Sequence, residues 1–179
     1  MTADPTSARF RRAAARFPTG VAVVSTVTDA EPHAMTVNSF VTVSLDPLYI
    51  LVSLSLTCRT YDRIRASGVF AVTVLGADQQ SEAQWFASSR RGTGHRAFLG
   101  VDWRPAPHTS APILVNGLSY FDCVVADTRV VGDHAVVIGA VHDFGVLSDS
   151  PALMFADSRY AVAPTTPVPA PVSAATSGG

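Results

Sequence analysis

Hydrophobic and polar positions alternate strictly from Met35 to Leu45. Met35, Val37, Val41, Val43 and Leu45 share one side with Ser39, and Thr36, Asn38, Phe40, Thr42 and Ser44 share the other. A period of two predicts one strand, His33 to Leu45, with its apolar side against a core. The opposite side carries hydroxyls, one amide and one aromatic ring but no charge. Solvated strand faces usually carry Lys, Glu or Arg, so an uncharged hydrogen-bonding face suits a flat polar ligand. After Asp46-Pro47 an apolar run, Leu48 to Val52, opens into Ser53, Ser55, Thr57, Cys58, Arg59 and Thr60, and Leu48 to Leu54 is predicted as the next strand. Hydroxyls, backbone N–H groups and an arginine at a helix N-terminus are a phosphate-binding set. A polar strand face beside such a loop outlines a flavin site. The plain alternative is a half-buried strand followed by a capped helix.

The same periodicities order the rest of the chain. Asp4 as N-cap and Pro5 at the first helical position start a helix over 5–16. Phe10, Ala13, Ala14 and Phe17 form its stripe, and Arg9, Arg11, Arg12 and Arg16 cover its wet side. Val21–Thr28 reads as a strand that returns antiparallel through a turn at Asp29–Pro32. A helix from Thr60 to Ser67, with Tyr61 and Ile64 inward, ends at Gly68 in the left-handed conformation. Val69–Leu75 is a strand. Asp78 then caps a helix to Ser88 that buries Ala83, Phe86 and Ala87 beside Trp85. Ser88–Gly94 has no periodicity and reads as a surface connection or a lid. Val101–Trp103 is a short strand or turn and Pro105–Pro112 is irregular. Ile113–Val115, Leu118–Val131 and His134–Val146 are strands, the last two joined by the hairpin dipeptide Gly132-Asp133. Ala152–Phe155 is a last short strand, and Ser158–Tyr160 closes the fold. Residues 1–9 lead into the first helix, 10–162 form one domain, and the Pro-, Ala-, Ser- and Gly-rich 163–179 have no reason to fold. Hairpin-length succession without βαβ units predicts a mainly β chain, a closed or nearly closed antiparallel barrel with helices outside.

Composition narrows the chemistry. The net charge of −1 and pI near 6.5 give no electrostatic reason for nucleic acid or an anionic membrane as partner. All thirteen basic residues are arginine, which excludes Schiff-base lysines and Walker-type phosphate binding. Cys58 and Cys123 lack metal-ligand spacing, as do His33, His95, His108 and His142, so no metal site is expected and a reduced compartment is. No secretory signal or bilayer-length apolar run is present, and no GxGxxG, so a soluble cytoplasmic protein without a Rossmann site is expected.

Five motifs in order carry a resemblance: Phe17-Pro18-Thr19-Gly20-Val21, Met35-Thr36-Val37-Asn38-Ser39-Phe40, Val43-Ser44-Leu45-Asp46-Pro47, Ser67-Gly68-Val69-Phe70-Ala71-Val72 and Gly132-Asp133-His134. From about Phe10 to Tyr160 the chain resembles the short-chain flavin reductases, the NAD(P)H-dependent components of two-component flavin monooxygenases. The resemblance implies an FMN-binding split barrel, usually a homodimer, that uses NADH or NADPH to reduce FMN or FAD for a separate monooxygenase. It places flavin contacts on Met35, Thr36, Val37, Asn38, Ser39 and Phe40, with the phosphate side on Ser53, Ser55, Thr57, Cys58 and Thr60. It adds Arg96 and Phe98, and puts the nicotinamide at Gly132, Asp133 and His134 with Arg159 and Tyr160. Cys58 departs from the Ser/Thr-rich loop usual there. Hydride transfer between stacked rings requires no side-chain acid or base, so no catalytic residue is expected. The other reading is a flavin carrier or sensor of the same barrel without efficient NAD(P)H turnover.

Overall fold

Three hairpins build the main sheet of the computed structural model, which describes residues 5–164. β2 (Ala22–Thr28) turns into β3 (Glu31–Val37) through Asp29 and Ala30, both left-handed at φ 52 and 63. β4 (Val41–Leu45) pairs with β5 (Leu48–Ser55), and β9 (Ser119–Val131) with β10 (His134–Val146). The β9–β10 turn holds Gly132 at φ 61, as its Gly-Asp dipeptide predicts. With β6 (Val69–Val74) they form one antiparallel sheet of order β3-β2-β6-β9-β10-β5-β4.

The sheet curls around an apolar interior. Val24, Val37, Ile50, Val52, Leu54, Phe70, Val72, Cys123 and Val137 meet there, contributed by six strands. Gly139 of β10 allows this approach, since a Cβ at that position would lie 2.5 Å from the Phe70 ring. The ladder is not closed, however: β3 and β4 are its two ends. The barrel is therefore split.

α2 (Arg59–Ser67) closes one end of the interior with Tyr61 and Ile64, and Gly68 terminates it at φ 71 as expected. α3 (Gln80–Ala87) covers the outer face of β2 and β3, where Phe86, Phe98, Leu75, Leu114 and Leu153 form a second core. β7 (Trp103–Pro105) and β8 (Pro112–Leu114) pair beside it. β1 (Thr19–Gly20), β11 (Leu153–Ala156) and β12 (Arg159–Val162) make a small separate sheet. Its last strand exceeds the expected short closing segment, because Asp157 and Ser158 turn tightly at φ 49 and 61.

Several local expectations are corrected. The strand from His33 to Leu45 is two strands. The chain leaves β2 after Val37 and crosses to β5, so Met35 and Val37 face the core while Val41, Val43 and Leu45 face outward. α1 (Pro5–Ala14) is shorter than 5–16, and none of its side chains is buried, so the Phe10 stripe meets no core. Phe10 and Phe17 are each 73% exposed. The Asp4 cap lies outside the described residues, as does the tail beyond Pro164. Asp78 does not cap α3. A 3-10 turn, Ala77–Gln79, precedes that helix, and the Gln79 side chain accepts from the Gly76 N–H at 3.1 Å. Ala87 is exposed rather than buried.

Candidate functional site

The split leaves two strand edges facing each other. β3 pairs only with β2, so its other edge is open from Met35 to Val37. β4 covers β5 only as far as Leu51, so Ser53 and Ser55 are paired with β10 on one side and with no strand on the other. One residue joins these edges. The Ser39 hydroxyl donates to the Ser53 carbonyl at 2.8 Å and accepts from the Ser53 N–H at 3.1 Å. The gap is a cavity of about 290 Å³ lined by Met35, Thr36, Val37, Asn38, Ser39, Ser53, Leu54, Ser55, Cys58 and His134.

Pairing explains why His134 is there. It is the first residue of β10 and sits opposite Ser55, and the Leu56 N–H donates to the Asp133 carbonyl at 3.0 Å. The Gly-Asp-His turn and the hydroxyl loop, far apart in sequence, are therefore neighbours. His134 Nδ1 lies 2.8 Å from Asp133 Oδ1. That hydrogen bond, then the His134 charge, hold the Asp133 carboxyl below its usual range, with a small contribution from Arg11.

A second cavity of about 180 Å³ adjoins the first through Thr36, Val37 and Asn38, and Tyr160, Phe155, Ala87 and Val21 complete it. The Tyr160 ring stands edge-on to Phe155 at 5.3 Å, and burial pushes its pKa up, keeping the phenol neutral. Asn38 is exposed between the two cavities, and its amide has no hydrogen bond among the described residues.

The loop after β5 is held by its own hydroxyls. Ser55 Oγ lies 3.0 Å from Thr57 Oγ1 and accepts from the Thr57 N–H. Cys58 is the N-cap of α2, its sulfur accepting from the Tyr61 N–H at 3.4 Å. Arg91 stands near this helix start. Its Nη1 donates to the Ser88 carbonyl at 2.8 Å, while its buried Nε has no partner among the described residues. Burial lowers its pKa, and so does Arg59, while Cys58 opposes them. A helix N-terminus beside an incompletely bonded guanidinium suits an anionic oxygen. A cavity between open strand edges, lined by hydroxyls, one amide and one imidazole, suits a heteroaromatic ring with polar edges. The residues present thus fit a flavin phosphate ester.

Other expected contacts lie elsewhere. Thr60 is fully buried, and its hydroxyl is 3.0 Å from His33 Nε2. Phe98 is a core residue between Phe86 and Trp103, with ring centroids at 5.3 and 5.2 Å. Phe40 packs on Phe121 at 5.2 Å. Thr36 does line both cavities, but its hydroxyl donates to the Ala83 carbonyl of α3 at 2.7 Å. Thr57, Arg96, Gly132, Asp133 and Arg159 are exposed and line neither cavity. Sequence reasoning missed Arg91 and Phe155. Arg91 lies in a stretch whose only signal was a break in periodicity, and Phe155 reads as an ordinary strand residue.

Comparison with known proteins gives the family and the fold. Residues 14–164 match the flavin reductase like domain. HsaB, the reductase subunit of a flavin-dependent monooxygenase from Rhodococcus jostii (strain RHA1), is 34% identical over 164 residues, covering 91% of this chain and 82% of its own. The NADH-dependent FAD reductase of Streptomyces globisporus is 37% identical over 133 residues, 74% of this chain and 72% of its own. Among solved structures, BorF, the flavin reductase component of a bacterial two-component tryptophan halogenase, has a TM-score of 0.84 at 32% identity, covering 89% of this chain and 99% of that one. The Streptomyces globisporus NADH:FAD oxidoreductase SgcE6, in complex with NAD and FAD fragments, has a TM-score of 0.81 at 30% identity, covering 90% and 95%. With its split barrel, its motif order and this breadth of match, the chain belongs to the flavin reductase like family.

Proposed function

We propose that this protein is an NAD(P)H:flavin oxidoreductase of the EC 1.5.1 class that supplies reduced FMN or FAD to a separate monooxygenase. The observation that carries this reading is the pair of joined cavities meeting at Asn38, one between open strand edges and one against Tyr160. The first is suited to a flavin ring and the second to a nicotinamide. A bound flavin supplies the hydride-accepting chemistry. The chain's part is to hold two flat rings in contact and keep water out, which needs no acid or base in the transferring step.

Each residue then has a limited task. Open backbone groups of β3 and the Asn38 amide hold the polar edge of the ring. Ser39 fixes the width of the gap, and Ser53 and Ser55 face the side chain that leads to the phosphate. His134, steadied by Asp133, stands at the rim where the donor enters. Tyr160 and Phe155 wall the nicotinamide side. We place the protein in the cytoplasm, in keeping with free Cys58 and Cys123; no helix among the described residues is long and apolar enough to cross a membrane. A homodimer is proposed as well, supported by the outward apolar side of β4.

The test is oxidation of NADH and of NADPH, followed by loss of the reduced-nicotinamide absorbance, with FMN, FAD or riboflavin added in turn. Turnover that rises with free flavin is expected. A tightly bound flavin that neither donor bleaches would overturn the proposal in favour of a carrier.

A further inference from the structure

The two walls of the 290 Å³ cavity belong to segments that share no backbone pairing, since β3 pairs with β2, and β5 with β10 and β4. Side-chain bonds join them at two places. The Ser39 hydroxyl holds Ser53 at one end, and at the other His33 Nε2 lies 3.0 Å from the Thr60 hydroxyl. Both members of this second tie are buried, His33 just before Met35 in β3 and Thr60 just after Cys58. Residues 33–39 and 53–60 therefore form a ring of chain, closed twice, with the cavity in its middle. Among the described residues no other hydrogen bond crosses it.

The His33 tie acts on the first turn of α2. In the β2–β3 hairpin His33 stands opposite Thr26, whose hydroxyl lies 2.8 Å from that of Ser67, the last residue of α2. One row across the hairpin thus grips both ends of the helix. Loss of the His33 bond leaves the far end held and frees the end that carries Cys58 and Arg59. Tyr61 and Ile64 stay in the core, but apolar contacts tolerate a small slide or rotation that a directional hydrogen bond does not.

This end of the ring is also cationic. Arg59, Arg63 and Arg91 all act on His33 through space, and none of them has an ion pair among the described residues. Burial, together with these charges, keeps the imidazole neutral near neutral pH, so the tie joins two uncharged groups. Guanidinium groups at the start of a helix suit a phosphate ester, whereas the Ser39 end adjoins the Asn38 amide and suits the ring.

We propose that His33 is a positioning residue for flavin binding: through Thr60 it holds the first turn of α2 where the phosphate ester is received, without touching the flavin itself. This rests on the flavin seat of the reductase reading above.

The test measures the Kd of FMN and of riboflavin, which lacks the phosphate, by quenching of flavin fluorescence in the full-length protein without a nicotinamide. Wild-type protein should prefer FMN by about tenfold or more. Thr60→Val, which keeps the shape and removes the hydroxyl, should weaken FMN about tenfold and riboflavin no more than about twofold. Thr60→Ser and His33→Gln retain a partner for the bond and should keep the wild-type preference. A tie that served stability alone would lower the melting temperature and leave the ratio of the two constants unchanged in Thr60→Val, which overturns the proposal. So does wild-type protein that binds the two flavins equally, a result that needs no variant to fold. The expected binding pattern in a protein that oxidises neither NADH nor NADPH with any flavin would refute the reductase reading alone.

Discussion

His33 is buried beneath α2, with its Nε2 3.0 Å from the Thr60 hydroxyl. Burial foremost, then Arg91, Arg63 and Arg59, lower its pKa from 6.5 to about 4. The folded protein therefore keeps a neutral imidazole over a range in which the unfolded chain takes up a proton. Stability is full above about pH 6.5 and is lost as the pH falls toward 4, by about 3 kcal/mol in all. His33→Gln, which keeps a neutral group able to bond Thr60, should flatten this acid limb in denaturation midpoints measured against pH. A limb of unchanged depth would place its origin elsewhere. Two neighbours show why single residues misled. Thr60 was expected at the phosphate because hydroxyls suit anions, but nothing in a hydroxyl tells which partner claims it, and His33 does. Cys58 stood out as a departure, and its role is local: its sulfur caps α2. Cys58→Ser should keep the cap, whereas Cys58→Ala should cost about 1 kcal/mol of stability.

Between elements, the decisive event is the crossing from β3 to β4. Alternation continues unbroken through Asn38, Ser39 and Phe40, so the pattern looks like one strand although the chain changes partner there. What distinguishes the two cases is whether a second strand edge lies opposite, and that depends on β5 and β10, distant in sequence. Features set by local chemistry were legible instead. The Gly132 hairpin, the Gly68 terminator and the stripe of α2 all stand where their residues place them. The uncharged stretch Met35–Ser39 was likewise legible as a polar face, since the absence of charge on a strand needs no partner to be seen, and it lines a cavity. The Ser39 clasp was not, because its target is a backbone group of Ser53. Ser39→Ala removes both bonds to Ser53 and should cost about 1–3 kcal/mol of stability. Because the clasp sets the gap, flavin affinity measured by fluorescence quenching should fall too. Asn38→Ala, which breaks no hydrogen bond among the described residues, should lose roughly 1–3 kcal/mol of flavin affinity while leaving the melting temperature in place. If both variants lose stability equally, the division between clasp and ligand contact is wrong.

At the scale of the molecule, one group of exposed apolar residues lies at β4 and the adjoining start of β5, Val41, Val43, Leu45 and Leu48. β4 is the end strand of the main sheet, and Val41, Val43 and Leu45 on its outward side are 51, 49 and 86% exposed, with Phe144 and Val146 of β10 exposed as well. Edge strands of monomers are usually blunted by charge, proline or a bulge, because open N–H and C=O groups beside an apolar face recruit another chain. β4 has a register irregularity between Thr42 and Ser44, but no charged side chain among Val41–Leu45. Cover by a second copy would remove this face from water, and β4 leads directly from Asn38–Phe40, so the contact would also steady the wall of the cavity. Val43→Glu separates the alternatives. In a monomer this exposed position tolerates the change within about 0.5 kcal/mol, with unaltered sedimentation and flavin affinity. In a dimer held through β4, two carboxylates are forced into an apolar contact. The sedimentation coefficient should then fall to that of a single chain, and flavin binding should weaken with it. Unchanged sedimentation would leave β4 uncovered in solution, and the cavity would have to be complete within one chain.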